Sequence, residues 1–166
     1  MKTLRNLAVI GMIVMGSALV VRAHCEIPCG IYDDPLRINL MKEHITTIEK
    51  SINQIVELGK AQDKNYNQLV RWISNKDTHA EEFMHIVTQY FMTQRIKPVD
   101  ETEKGAYKKY VKEVTLLHQM LVYAMKAKQT TDLENCTKLR ELLEQFSESY
   151  FGQTKQATPV VEEHTH

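Results

Sequence analysis

Apolar residues recur along most of the chain at alternating spacings of three and four, the pattern of amphipathic helices packed along a seam. The first seam is Ile38, Met41, Ile45, Ile48, Ile52 and Ile55. Asp34-Pro35 predicts its start, with Asp34 as cap and proline at the first helical position, and Gly59 predicts its stop. A second seam begins near Asp63 and runs through Tyr66, Leu69, Ile73, Ala80, Phe83, Val87 and Tyr90, ended by Pro98. The polar run from Ser74 to Thr78 interrupts it, which fits a loose turn, a break or a polar face.

Asp100 and Glu103 form a capping-box-like start for a third helix, whose seam is Tyr107, Tyr110, Val114, Leu117, Leu121 and Ala124. Thr131 and Glu134 make a second such start, followed by Cys136, Leu139, Leu143, Phe146 and Tyr150, with Gly152 as the stop. A lone amphipathic helix is marginal in water, so each seam must be buried against the others. Four helices with short connectors therefore predict an all-α protein, an antiparallel up-and-down four-helix bundle over residues 33–152. Trp72 stands beside its seam and is expected to be partly buried, a subunit contact being the alternative. Residues 153–166 are mostly polar, include Pro159, and are expected to form a disordered tail.

The 166 residues suit one domain. Residues 1–23 read as a cleavable leader: Lys2 and Arg5, then an almost wholly apolar run from Leu7 to Val21, then Val21-Arg22-Ala23 before the cut. The run is shorter than the roughly 20 residues of a comfortable membrane span, so no stable span is expected after cleavage. A retained anchor is the competing reading. Export to the periplasm or the cell exterior is expected. The formal charge of the whole chain is zero, and the leader holds three bases (Lys2, Arg5, Arg22) and no acid, so its removal leaves −3. That balance gives no support to nucleic-acid binding.

A cut after Ala23 makes His24 the N-terminus of the segment His24-Cys25-Glu26-Ile27-Pro28-Cys29-Gly30-Ile31-Tyr32. Its amine, imidazole and two thiols are soft and borderline metal donors gathered within six residues. The segment resembles the nickel hook of nickel-containing superoxide dismutases, whose motif is His-Cys-x-x-Pro-Cys-x-x-Tyr. His24, Cys25, Pro28, Cys29, Gly30 and Tyr32 all match, and the leader and helical remainder suit that family too.

The resemblance implies a superoxide dismutase that converts superoxide to oxygen and hydrogen peroxide, with one nickel per subunit cycling between Ni(II) and Ni(III). The His24 amine, the Cys25 amide nitrogen and the Cys25 and Cys29 sulfurs can supply a planar four-donor set, a geometry that favours nickel or copper. Thiolates and a deprotonated amide stabilise the higher oxidation state. The family pattern implies that the His24 imidazole binds axially in the oxidised state, and that the Ile27–Pro28 bond is cis. Pro28 stiffens the turn that returns Cys29 to Cys25, and Gly30 permits close packing or an unusual dihedral. Tyr32 is expected beside the open metal face, where it orders water, orients protons and excludes larger anions. The resemblance further implies a homohexamer, with each hook held partly by a neighbouring subunit, and a leader-processing protease as partner. Some members of the family carry a short propeptide and stay in the cytoplasm, which is the alternative location.

A metal-bound histidine normally has a partner on its other ring nitrogen. The family supplies a carboxylate and a basic residue there. The carboxylate position falls near Asn39, an amide, while Lys76 to Ala80 resembles the segment with the basic residue and makes His79 the candidate. A surface helix histidine is the competing reading of His79. Glu82 and His85 form a Glu-x-x-His unit with no second copy, so a solvated face is expected. Cys136 is expected to be a core thiol. His44 and His118 stand alone without ligand spacing, and His164 and His166 belong to the tail.

Two other functions stay open on sequence grounds. One is an exported nickel or copper carrier or sensor using the same donors. The other is a non-enzymatic helical interaction protein with a Cys25–Cys29 disulfide, because export exposes cysteines to oxidation.

Overall fold

The computed structural model describes residues 30–152; the leader, His24, Cys25, Pro28, Cys29 and the tail lie outside the described residues. The chain divides into two units at Tyr32 and Asp33, and the second carries four α-helices with no strand among the described residues. They are α1 (Asp34–Lys60), α2 (Tyr66–His85), α3 (Lys104–Gln129) and α4 (Glu134–Phe151), with a π-helical segment (Ile86–Arg95) continuing α2. Helices α1 and α2 pack together, as do α3 and α4, and the ring closes through α2 with α3 and α1 with α4. Short connectors and this cyclic order make an up-and-down four-helix bundle. No helix among the described residues is long and apolar enough to cross a membrane.

Five of the six first-seam residues, Ile38, Met41, Ile45, Ile48 and Ile52, are core residues, and Ile55 is half-buried. Along α2 and the π-helical segment only the second half of the seam follows. Ala80, Phe83, Val87 and Tyr90 are buried, whereas Tyr66, Val70 and Ile73 are exposed along one face. The core side of α3 is turned by about one position from the predicted seam: Leu116, Leu117, Met120, Ala124 and Ala127 are buried, while Tyr110, Val114 and Leu121 pack at its margin. Cys136 is a core thiol, and burial first of all pushes its pKa up to about 11. Trp72 is partly buried, with the Lys50 ammonium 6.0 Å from its ring centroid.

Several boundaries move for identifiable reasons. Asp33, not Asp34, caps α1: its Oδ1 accepts the Leu36 N–H at 3.0 Å. Gly59 lies inside α1, which ends one residue later. The second helix begins at Tyr66, where Asn65 accepts the Gln68 N–H at 3.1 Å. Asp100 and Thr102 form a turn rather than a helix start, and α3 begins at Lys104. Asp132, between the two residues of the predicted capping box, accepts the Glu134 N–H at 3.0 Å where α4 starts. Gly152 does close α4, with φ of 73°.

Freed from capping, Asp34 becomes the hub of one end of the bundle. Its carboxylate accepts from the Tyr90 hydroxyl at 2.6 Å, the Tyr150 hydroxyl at 2.8 Å, and Arg95 Nε and Nη2 at 2.9 and 2.6 Å. The π-helical segment makes this possible. Residues five apart are about 140° apart around an α-helix, but i→i+5 bonding sets them on adjacent turns of the same side. Tyr90 and Arg95 are such a pair, and the Ile96 N–H donates to the Phe91 carbonyl at 2.8 Å in the same pattern. Burial by itself would raise the Asp34 pKa, but the hydrogen bonds from Arg95, Tyr90 and Tyr150 outweigh it and hold the carboxyl below its usual range. Burial and the Asp34 carboxylate push Tyr150 up to about 12.

The polar run in α2 is neither a turn nor a break. The helix is continuous there, and Lys76 is buried at 4% exposure. Its ammonium donates to the Ala127 carbonyl and to Asp77, each at 3.0 Å, and to the Lys128 carbonyl. A cation thus closes the C-terminal end of α3, where carbonyls lack helical partners.

Two predictions follow from these polar anchors. Lys76→Met should strip two carbonyls of their buried donor and cost about 1–3 kcal/mol of stability, read as a lower urea midpoint. Asp34→Asn should cost about 1.5–3 kcal/mol at neutral pH. Because the folded Asp34 pKa is depressed, that stability is present above the unfolded value of 3.8 and is lost as pH falls through the lower folded value. Urea midpoints of wild type and variant should therefore converge below that pH.

Candidate metal centre

Of the His24–Tyr32 segment, Gly30, Ile31 and Tyr32 are described. Gly30 has φ of +80°, a left-handed conformation that other residues rarely adopt. A Cβ built there meets nothing within 4 Å, so the backbone angle alone asks for glycine. Of the two reasons for glycine considered from sequence, the unusual dihedral is the one observed. Tyr32 is 40% exposed. His24, Cys25, Pro28 and Cys29 carry the remaining expectations and lie outside the described residues.

Within the bundle, His79 is not a solitary surface histidine. Its Nδ1 lies 2.9 Å from His44 Nδ1, and the two rings are tilted at 48° with centroids 5.2 Å apart. Glu82 Oε2 approaches His44 Nδ1 at 3.4 Å and His79 Nδ1 at 3.5 Å. His44 comes from α1, and His79 and Glu82 come from adjacent turns of α2. Burial holds His44 below the usual imidazole range; Glu82 and Glu43 oppose that shift, and His79 adds to it. Asn39 is exposed.

This arrangement corrects one expectation: His44 is not isolated. Glu82 and His85 are both exposed, the solvated face expected of them, although Glu82 also approaches His44 and His79. A signal existed. Counting outward from the α1–α2 connector, His44 and Glu82 stand equally far from the helix ends at Lys60 and Tyr66. In an antiparallel pair such positions lie side by side. His79 and Glu82, three apart, then share the face that meets His44.

The helical bundle and the donor-rich sequence ahead of it define a small helical metalloprotein. Residues 19–155 match the family model described as nickel-containing superoxide dismutase, most of the chain and the whole His24–Tyr32 motif included. The chain belongs to the nickel-containing superoxide dismutases, oxidoreductases with a nickel cofactor. No match was found among curated proteins or among solved structures.

Gly30→Ala forces a side chain into the left-handed region. It should weaken nickel binding by roughly fivefold, about 1 kcal/mol, in a competition titration against a chelator. Gly30→Asn, which tolerates that region, should lose less.

Proposed function

We propose that this chain disproportionates superoxide at the His24–Cys29 segment, by Ni(II)/Ni(III) cycling on ligands that the mature N-terminus supplies. The observation that carries the reading is the family match, which spans both the donor motif and the bundle. The donor set fits the metal: an amine, an adjacent amide nitrogen and two thiolates are strong, anionic donors. Bound there, nickel supplies a one-electron couple that superoxide can both oxidise and reduce.

The chain's own residues do the rest. His24 contributes its amine, freed by removal of the leader, and its imidazole. Cys25 contributes its sulfur and backbone nitrogen, and Cys29 its sulfur. Pro28 and Gly30 shape the turn that gathers them. Tyr32 orders water and holds a proton near the reacting oxygen, and limits access to small anions.

His79 serves the other ring nitrogen of the His24 imidazole. His44 and Glu82 at its Nδ1 support that role, because they fix its ring. On this reading the carboxylate beside the basic residue comes from Glu82, whereas the position near Asn39 carries an amide. The chain is exported, trimmed by a leader protease, and assembled as a homohexamer. The exposed Tyr66, Val70 and Ile73 on one face of α2 support a subunit contact.

Two chains test the mechanism, one beginning at His24 and one retaining Ala23, both loaded anaerobically with nickel and checked by intact mass. Superoxide disproportionation per bound nickel should appear only in the His24 form. Equal activity in both would remove amine ligation. No activity in either, with stoichiometric nickel and reduced thiols, would point to a carrier.

A further inference from the structure

We infer that His44, His79 and Glu82 form a second metal site, separate in sequence and in chemistry from the nickel segment, for a first-row divalent cation that prefers nitrogen and oxygen donors. The argument is geometric. Imidazole nitrogens and carboxylate oxygens sit about 2.0–2.2 Å from a zinc-like ion. Two such donors are then roughly 3.0 Å apart at a right angle and roughly 3.4 Å apart at the tetrahedral angle. The observed edges are 2.9, 3.4 and 3.5 Å. Three donor atoms thus already occupy one face of a coordination polyhedron, and two imidazoles with one carboxylate are a common donor set for such ions.

The surroundings agree. The side chains of His44 and His79 are 13% and 28% exposed, which keeps their rings in place, while Glu82 at 52% leaves a solvent route for the ion and for water ligands. The carboxylates acting on His44 are Glu82 and Glu43, opposed by burial and by His79. The ligands come from two helices and from positions 35 residues apart, so an ion there clips α1 to α2. The competing account is a plain N–H···N hydrogen bond between neutral rings. It leaves Glu82 as a neighbouring carboxylate at 3.4 and 3.5 Å and predicts no saturable uptake of a divalent ion.

The test is a Co(II) titration, followed by visible d–d absorption and by metal analysis, of the full chain from His24 already carrying one nickel. The Cys25→Ser/Cys29→Ser variant is titrated in parallel, so that failure of the nickel segment is not mistaken for failure of this site. Both proteins should take up one saturable Co(II), without thiolate charge-transfer bands, and gain several degrees in melting temperature. Affinity should fall at least tenfold in His44→Ala and in Glu82→Gln, the latter an exposed position that does not disturb folding. The His164→Ala/His166→Ala variant should bind as before. Absence of a saturable Co(II), or uptake that persists unchanged in both His44→Ala and Glu82→Gln, would overturn the site.

Discussion

One carboxylate holds one end of this bundle together. Asp34 accepts hydrogen bonds from Tyr90, Arg95 and Tyr150, and so joins the first turn of α1 to the π-helical segment and to the last turn of α4. Charge-assisted bonds to a largely buried carboxylate are stronger than neutral ones, and the Arg95 fork fixes geometry as well as energy. The aromatic contacts follow from it. Phe91 meets Phe146 edge-on at 5.0 Å, and Tyr150 stacks on Phe146 at 5.4 Å. Asp34 lies two residues beyond Tyr32, so the point where the bundle begins is pinned.

The C-terminal end of α3 is also closed by a charge. Lys76 crosses from α2 to the end of α3. Lys128 then pairs with Glu81, and Arg140 with Glu49, toward solvent. The surface pairs contribute little because water screens them. Lys76 differs because it is buried and, besides Asp77, its partners are carbonyls that the helix cannot satisfy itself. A polar stretch in the middle of an apolar seam is therefore the cost of closing a neighbouring helix.

Chemistry divides along the chain. The His24–Tyr32 segment concentrates sulfur and anionic nitrogen donors, which suit a metal that must change oxidation state. The bundle offers only imidazole and carboxylate at His44, His79 and Glu82. Neutral imidazoles and a carboxylate suit divalent first-row ions such as zinc, copper, nickel or iron.

Helix number, the bundle and the donor motif were legible because each rests on local rules. Apolar spacing of three and four commits α1 and α4 to burial whatever surrounds them, and a motif of adjacent residues is read without any fold. Gly152 closes α4 by its own backbone freedom. Apart from local shifts at the helix ends, what failed depends on a distant partner. Asp34 reads as a cap until Arg95 and two tyrosines are brought to it. The Ser74–Thr78 run reads as a break until Lys76 meets the end of α3. His44 reads as solitary until α2 folds back beside α1. The sequence by itself determined four amphipathic helices and the chemical nature of the donors. Only the tertiary structure decided which polar side chains meet, because a charge or an imidazole takes its role from groups 35 to 116 residues away that no local pattern encodes.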